Sequence, residues 1–342
     1  MNTFIKYLPV LALLVLAFLT ISCEENSPTS PRAATVFTWD YVMDDPTYFH
    51  SIQEVPPLAV EEDGTLWIAG YLGSPGNSHR CMARRKPGGD WQAWADEGTP
   101  GDYYAYDVGV SYNGIYVTLV GNPTLEPSGL YQFIDIPYQF QGFELVYAHP
   151  DPGPIACNVD TAVMFTRHMN NVNSGVYTVI NDAFHTCTLP NVTGDVLCAT
   201  MINDITAYAI TSDNYLLLWD GNTVSCQPYS FKLYDVSGDL NLTLCTDDGF
   251  YTSLYAGELV KDTAFPGDKA FSSSPGGYEM VLGEKNGVTR MYKRVEGGKS
   301  YTEETLNYPV GVGRIRMIPG YTGDIHEGYI YDGNALGERV AH

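Results

Sequence analysis

Short stretches of alternating or aromatic-rich residues follow one another along residues 35–342, separated by glycine, asparagine, aspartate and proline. Alternation with a period of two is typical of strands, whereas amphipathic helices need apolar residues three and four positions apart. No stretch of a dozen residues shows convincing helical spacing. The pattern therefore predicts one all-β domain, built as a sandwich, a barrel or a propeller.

A short cue recurs within this domain: a turn residue precedes an aliphatic or aromatic residue, and tyrosine or tryptophan follows. The clearest members are Gly64-Thr65-Leu66-Trp67, Gly114-Ile115-Tyr116, Gly129-Leu130-Tyr131, Gly175-Val176-Tyr177, Gly249-Phe250-Tyr251 and Gly328-Tyr329-Ile330-Tyr331. Looser members begin at Asn214 and Gly287. The cues fall in pairs within units of roughly 35 to 50 residues, the length of a four-stranded propeller blade.

The spacing of these cues divides the domain into seven units. The units begin at Glu54, Asp102, Pro152, Gly194, Asp235, Asp268 and Pro309. The last unit is short, and a strand-like segment over residues 36–42 can complete it, which would leave no free sheet edge. We therefore predict a seven-bladed β-propeller closed by an N-terminal strand. Two alternatives stay open: six blades, because residues 235–308 are irregular, and a large β-sandwich.

One unit carries a family resemblance. The segment Val60-Glu61-Glu62-Asp63-Gly64-Thr65-Leu66-Trp67-Ile68-Ala69-Gly70 resembles the repeat of two-component-regulator and sialidase-type propellers, in which an Asp-Gly turn leads an aromatic strand into the blade core. The resemblance implies the fold and not an activity, since propellers carry many unrelated functions. Residues 314–319 are only loosely similar to the arginine segment of sialidases, so no catalytic role is transferred to them.

The first 22 residues have the layout of an export signal. Lys6 supplies one positive charge, and an apolar run over residues 7–19 follows it. A membrane-spanning helix needs about 20 apolar residues, and this run ends at Leu19, before Thr20. We therefore predict a cleaved signal peptide, with an uncleaved N-terminal anchor as the alternative.

The segment Leu19-Thr20-Ile21-Ser22-Cys23 resembles the lipobox of bacterial lipoproteins. The resemblance implies cleavage before Cys23 and acylation of Cys23. Because Glu24 follows in place of aspartate, it also implies sorting to the outer membrane, facing the periplasm or the cell surface. Ordinary signal cleavage nearby is the alternative. The predicted organisation is a signal peptide over 1–22, a lipidated cysteine with a disordered tether over 23–34, and a propeller over 35–342.

The charge balance bears on partners and cofactors. Forty acidic and 18 basic residues give a net charge of −22, which disfavours nucleic acid because phosphate binding requires a basic footprint. The one dense basic patch, around Arg84, Arg85 and Lys86, is interpreted as a solvated hairpin tip. Oxygen ligands for calcium could come from four aspartates near predicted turns: Asp151, Asp247, Asp248 and Asp324. No spaced calcium-binding loop is present, so no cofactor is predicted. Calcium stays a possibility, and no residue is assigned as a metal ligand.

Six cysteines accompany Cys23: Cys81, Cys157, Cys187, Cys198, Cys226 and Cys245. An even number in an oxidising compartment permits disulfides, while the lack of a Cys-x-x-Cys pair gives zinc little support. In the predicted blades, Cys157, Cys198 and Cys245 fall on inner strands, and Cys187 and Cys226 fall on outer ones. We therefore favour buried free thiols over disulfides.

No serine-nucleophile elbow, zinc-protease helix or glycine-rich phosphate loop is present, so no catalytic residue is predicted. His168 and His185 are interpreted as strand residues with a hydrogen-bond partner. The sequence favours a membrane-anchored, non-enzymatic scaffold that binds a glycan, a peptide or a protein. The alternative is a propeller hydrolase or lyase with its site in the central channel, on segments such as Ala156-Cys157-Asn158 and Asn241-Leu242-Thr243.

Overall fold

The computed structural model describes residues 37–41, 55–72, 79–87, 89–95, 104–121, 127–136, 140–158, 160–238, 241–254, 257–274, 278–295, 298–317, 328–333 and 336–341. Every regular element in these ranges is a β-strand. No helix within them is long and apolar enough to cross a membrane.

Twenty-eight strands form seven blades of four antiparallel strands. The innermost strands, in blade order, are β2 (Leu58–Val60), β6 (Tyr104–Ser111), β10 (Pro152–Cys157), β14 (Val196–Asn203), β18 (Leu233–Gly238), β22 (Lys269–Ser274) and β26 (Arg314–Met317). The second strands are β3 (Leu66–Leu72), β7 (Gly114–Val120), β11 (Ala162–Thr166), β15 (Thr206–Thr211), β19 (Asn241–Thr246), β23 (Tyr278–Lys285) and β27 (Gly328–Tyr331).

The third strands are β4 (His79–Arg85), β8 (Gly129–Ile136), β12 (Gly175–Thr178), β16 (Tyr215–Trp219), β20 (Gly249–Leu254), β24 (Val288–Val295) and β28 (Leu336–Ala341). The outermost strands are β5 (Trp91–Ala95), β9 (Phe140–Ala148), β13 (Ala183–Thr186), β17 (Val224–Pro228), β21 (Val260–Lys261), β25 (Thr302–Leu306) and β1 (Phe37–Tyr41). Each recurring cue lies at the start of a second or a third strand. A blade has one strand of each kind, so a blade can carry two cues.

The N-terminal strand closes the ring, which confirms the prediction. β1 pairs antiparallel with β28, from Phe37 opposite Ala341 to Tyr41 opposite Gly337. It also pairs parallel with β25 of the sixth blade, through Thr38 and Trp39. The innermost strand of each blade contacts that of the next, and β26 contacts β2. The ring excludes the β-sandwich, and its seven four-stranded blades exclude the six-blade count.

Glycine is needed at the cues for two physical reasons. Gly114 and Gly249 begin their strands with φ of 147° and 124°, in the region that side chains with a Cβ rarely adopt. Gly175 begins β12 so close to the neighbouring strand that a Cβ would lie 2.2 Å from the carbonyl oxygen of His185. The turn glycines of the sequence pattern therefore set where strands start.

The apolar core consists of seven clusters in the described residues, and each lies between two adjacent blades. Successive side chains of a strand point to opposite faces of its sheet. On β15, Ala207 and Ala209 therefore pack toward the third blade, whereas Tyr208 and Ile210 pack toward the fifth. Both faces of a blade are buried, which is why many strands read as continuous apolar runs.

The two ends of the ring differ in their loops. We call the end where the innermost strands begin the entry face, and the opposite end the exit face. Because strands within a blade are antiparallel, the turn between the second and third strands also lies on the entry face, as does the link from one blade to the next. The turns between first and second strands, and between third and fourth strands, lie on the exit face.

Candidate functional site

Four charged side chains from three innermost strands meet at the centre of the ring. Asp107 lies on β6, Asp235 on β18, and Arg314 and Arg316 on β26. The guanidinium of Arg314 lies 3.6 Å from Asp107 and 3.9 Å from Asp235, and that of Arg316 lies 3.8 Å from Asp235. We call these four residues the axial cluster. Its formal charges balance.

Bulges place its carboxylates. The innermost strand shifts register between Ala105 and Asp107, and again between Leu233 and Asp235. The same irregularity precedes Cys198 in the fourth blade and Ser272 in the sixth. The residues that follow these bulges contact one another: Asp235 accepts hydrogen bonds from the Ser272 hydroxyl at 2.5 Å and from the Cys198 thiol at 3.4 Å. A repeated backbone feature thus brings together side chains distant in sequence.

Asp107 is almost completely buried. Its carboxylate accepts hydrogen bonds at 2.9 Å from the backbone N–H groups of Val108 and Ile155. Burial raises the pKa of Asp107, although Arg314 and the two backbone donors oppose the shift. Ile155 belongs to the third blade, so this acid also links neighbouring blades.

The arginines are held by charge and not by direct hydrogen bonds to the acids. All three distances between them exceed the ~3.2 Å limit of a good N–H···O bond, and Nε of Arg314 has no hydrogen-bond partner. Asp235 and Asp107 raise the pKa of Arg314 against the effect of burial. Burial and the neighbouring Arg314 lower the pKa of Arg316 to about 10. Both guanidinium groups therefore remain charged at neutral pH.

The thiols and hydroxyls near the axis are buried as well. Burial raises the pKa of Cys157, Cys198 and Cys245 well above the ordinary thiol value, so these cysteines stay protonated and unreactive. The hydroxyls of Ser237, Thr243 and Ser273 lie 2.8 Å from one another in a closed triangle. These groups satisfy one another and expose no nucleophile.

A cavity of about 280 Å³ lies at the entry face beside this cluster. Its lining is mainly apolar and comes from the fourth, fifth and seventh blades and from the segment before the first: Val55, Leu197, Lys232, Leu233, Tyr234 and Val312. Three of these residues directly precede members of the axial region in sequence, since Leu197, Tyr234 and Val312 come one or two positions before Cys198, Asp235 and Arg314. We call this space the central cavity.

A second polar group lies on the entry face between the third and fourth blades. The two ring nitrogens of His168 lie 2.9 Å from Asp151 and 3.0 Å from Asp195. Arg167 donates to Asp195 through Nε at 2.9 Å, and its guanidinium carbon lies 5.8 Å from the ring centre of Tyr106. His168 has hydrogen-bond partners, as predicted, but it follows β11 and does not lie on a strand. His185 does lie on β13, but its Nε2 has no hydrogen-bond partner among the described residues.

Three of the four candidate calcium ligands lie in the described residues, and each of the three contacts other groups. Asp151 binds His168, Asp247 accepts from the backbone N–H of Lys232, and Asp248 binds Tyr251 and Lys261. Asp324 lies outside the described residues. Within the described part of the chain, no three histidine, cysteine, aspartate or glutamate side chains are grouped as a metal site would need.

Some of the predicted axial residues lie on a different strand from the one expected, and some of the predicted residues lie outside the described part of the chain. Asn241, Leu242 and Thr243 lie on β19, a second strand and not an innermost one, and so does Cys245. Ala156 and Cys157 do lie on the innermost β10, as predicted, and Asn158 directly follows it. The five cysteines whose side chains are described, all except Cys23 and Cys81, are free. Cys23 itself, with the signal peptide and tether, lies outside the described residues.

Of the predicted basic hairpin tip, only Lys86 lies in the exposed turn between β4 and β5. Arg84 and Arg85 lie within β4 and are partly buried, with ion pairs of 2.9 Å to Asp135 and 3.1 Å to Glu338. For the two arginines the prediction was wrong. Arg84 covers aromatic surface, since its guanidinium carbon lies 5.4 Å from the ring centre of Trp67, and Arg85 is paired with Glu338.

Sequence reasoning missed the axial aspartates. A signal was present, because Tyr106-Asp107-Val108 recurs as Tyr234-Asp235-Val236, each at the beginning of an innermost strand. When the same charged residue recurs at equivalent positions of two repeats, inside mainly apolar strands, the two copies are expected to contact the same charged partner. Here that partner is Arg314. That environment exists only after the ring has closed.

The sheet order and its closure define the chain as a seven-bladed β-propeller. No protein-family model matches the chain, and no curated protein matches it. Among solved structures, the chain is similar to one described as YCF48 bound to D1 peptide, with a TM-score of 0.59 and 14% sequence identity. The match covers 88% of this chain and 95% of the other. At this identity the likeness shows the fold alone.

Proposed function

We propose that this protein is a non-catalytic scaffold that binds an extended peptide segment of a partner protein, with one apolar side chain of that segment in the central cavity. The observation that carries the proposal is the position of this mainly apolar cavity on the propeller axis, beside charged groups that neutralise one another. A cavity of ~150 Å³ is enough to hold a benzene ring, so about 280 Å³ accommodates a large aliphatic or aromatic side chain.

Charge defines the flanking residues of that peptide. The protein carries a net charge of −22, and the entry face presents the carboxylates of Asp213 and Asp247 near the links between blades. Such a field attracts cationic segments and speeds their association. The proposed ligand is therefore an apolar residue flanked by lysine or arginine. The structurally similar YCF48 propeller was solved with a peptide bound, which supports a peptide over a glycan.

The chemistry of the axis favours binding over hydrolysis. A general acid or a nucleophile must reach its substrate. Among the described axial groups, Asp107 and Asp235 are buried and hydrogen-bonded, and Cys157, Cys198 and Cys245 are held as thiols. The lining of the central cavity consists of other, mainly apolar residues and includes none of these five side chains.

We further propose that the protein is exported, cleaved before Cys23 and held at the outer membrane by lipid on that cysteine. The support is the resemblance of residues 19–23 to a lipobox and the composition of the tether. Several acyl chains at ~0.8 kcal/mol per buried methylene make attachment stable. Cys23→Ala should release the protein from membranes and abolish labelling by an alkyne fatty-acid probe, and unchanged labelling would refute this proposal.

The peptide proposal is tested by panning a random dodecapeptide phage library on the full-length protein in detergent micelles. The enriched peptides, synthesised with a fluorophore, are then titrated by anisotropy. Val312 is exposed and lines the central cavity, so Val312→Trp fills the cavity. Val288→Trp is the control, because Val288 lies on the same entry face, at the turn between β23 and β24, and does not line the cavity. Both positions are exposed in the protein, at 43% and 52%, so both variants should fold.

The expected result is a set of peptides with an apolar residue beside basic ones, bound at least tenfold more weakly by Val312→Trp and normally by Val288→Trp. Equal binding by the two variants would show that the peptide does not bind in the central cavity. Enrichment of acidic peptides would overturn the charge argument, and binding to a glycan array without any peptide enrichment would overturn the peptide proposal.

A further inference from the structure

We propose that Cys187 and Cys226 form a disulfide site, which joins the outer edges of the third and fourth blades when a disulfide oxidant is present. Cys187 directly follows β13, the outermost strand of the third blade, and Cys226 lies on β17, the outermost strand of the fourth. Both residues carry free thiols in the structure. The lining of the central cavity includes neither of them, so the bond would connect two blades without changing that cavity.

The two side chains lie in one interface between blades. Both pack against the apolar cluster that fills the space between the third and fourth blades. The Cys187 thiol donates a hydrogen bond of 3.7 Å to the backbone carbonyl of Val224, which stands two residues before Cys226 on β17. Val224 and Cys226 point to the same face of their sheet, because successive side chains of a strand point to opposite faces. This contact therefore brings the Cys187 sulfur to the part of β17 that carries the Cys226 thiol.

The electrostatic interaction between the two thiols agrees with this arrangement. Burial raises the pKa of Cys187, and a negative charge on Cys226 raises it further. The interaction between two charges falls with their separation, and salt screens it beyond about 10 Å at an ionic strength of roughly 0.1 M. A thiol that shifts the pKa of another thiol therefore lies near it.

Solvent reaches both members of this pair. Cys187 and Cys226 are each partly exposed, whereas Cys198 and Cys245 are completely buried. A thiol must be accessible in order to react with an external disulfide. Among these four cysteines, oxidation is therefore expected at Cys187 and Cys226.

The strands that carry the pair can adjust to the geometry of a disulfide. The bond requires Cα atoms roughly 4.4–6.8 Å apart and Cβ atoms about 3.5–4.5 Å apart. β13 and β17 are each the last strand of a four-stranded sheet and are paired along one side. Either strand can therefore shift slightly toward the other without breaking a second ladder of hydrogen bonds.

The bond forms by two successive thiol–disulfide exchanges. The thiolate of Cys226 attacks one sulfur of a small disulfide, such as oxidised glutathione, which gives a mixed disulfide and releases one thiolate. The thiolate of Cys187 then attacks the Cys226 sulfur and displaces the second thiolate. The two released thiolates take up the two protons that the protein loses, and the oxidant gains the two electrons. Cys226 reacts first, because burial raises the pKa of Cys187 and so lowers its thiolate fraction.

The test uses the full-length protein, purified in detergent micelles under reducing conditions and then incubated with oxidised glutathione. The remaining thiols are alkylated, and a protease that cleaves before aspartate digests the chain. This digestion places Cys187 in peptide 182–194 and Cys226 in peptide 220–234, and neither peptide contains another cysteine. Mass spectrometry then identifies the peptides that a disulfide links.

In the wild type, the two peptides should be recovered as one linked species. Linkage restricts the unfolded chain over residues 187–226, so it should raise the midpoint of thermal unfolding by about 5 °C or more. Cys187→Ser should keep glutathione on Cys226, and Cys226→Ser should react with glutathione at least tenfold more slowly. Neither of these variants should show the rise in the midpoint. Cys198→Ser is the matched control and should still form the link.

Three results with the wild type alone would overturn the proposal, so the test does not depend on the folding of any variant. The first is that both thiols stay free in the presence of the oxidant. The second is that Cys187 and Cys226 each carry a separate glutathione. The third is that either peptide is linked to a different cysteine.

Discussion

The guanidinium of Arg314 lies 3.6 Å from the carboxylate of Asp107, although the first blade stands between the blades that carry them. The short β2 of that first blade contributes only Leu58, Ala59 and Val60 to the inner layer. The ion pair therefore connects two non-adjacent blades next to the point of ring closure.

Arg314→Met should lower the free energy of unfolding by about 3–5 kcal/mol, because it leaves Asp107 buried without its paired charge and leaves Asp235 with Arg316 alone. Denaturation by guanidinium chloride measures the change. The double variant Arg314→Met with Asp107→Asn should recover part of the loss. Arg290→Met is the control, because its pair with Glu303 is exposed and contributes about 1 kcal/mol or less. Equal losses in Arg314→Met and the control would contradict the role of the axial cluster.

Thr38→Pro should destabilise ring closure, since proline removes a backbone donor from a strand that is paired on both sides. The expected loss is about 1–3 kcal/mol, and hydrogen exchange should accelerate in β25 and β28 before other strands. Thr38→Ala keeps the backbone N–H and serves as the control. Uniform acceleration in all seven blades would show that β1 is not a local closure.

The rings of Tyr147 and Tyr177 stack between the second and third blades, with centroids 4.2 Å apart and planes 8° apart. A double-mutant cycle with Tyr147→Leu and Tyr177→Leu should give a coupling energy of about 0.5–1.5 kcal/mol. Tyr177→Phe keeps the ring and loses only the hydrogen bond to Asp182, so the coupling to Tyr147 should persist in that background. Additive effects of the two leucine substitutions would show that the stack contributes nothing beyond burial.

Asp213 should make stability depend on acidic pH. Partial burial opposes ionisation of Asp213, but hydrogen bonds from Thr211, Gly194 and Thr193 outweigh it and lower the pKa. A carboxyl group whose folded pKa is depressed stabilises the protein above the unfolded value of about 3.9, and this contribution disappears as the pH falls through the folded pKa.

The free energy of unfolding of the wild type should therefore fall more steeply between pH 4 and pH 2 than that of Asp213→Asn. The two curves should stay a constant distance apart above pH 5, by about 1 kcal/mol. Thermal or chemical unfolding at each pH gives both curves. Parallel curves over the whole range would contradict this assignment.

The strand pattern was readable because its causes are local. Gly114 and Gly249 are required where the backbone adopts positive φ, and the alternation of side chains follows from the geometry of a strand. The start of the fifth unit was placed at Asp235, two residues inside β18, and this shift moved Asn241–Thr243 from a second strand to an innermost one. The error arose because β18 reads as a mixed polar segment, Leu-Tyr-Asp-Val-Ser-Gly, whose acid is buried by other blades.

The sequence by itself determined the strand order, the approximate blade boundaries and the need for an N-terminal strand in the last blade, because turns, alternation and a missing fourth strand are local features. Only the tertiary structure decided that Asp107, Asp235, Arg314 and Arg316 lie together, that Arg84 and Arg85 are partly buried, and that the apolar cavity lies on the axis. These contacts join residues of different blades. They form when the ring closes, so no pattern within a single blade specifies them.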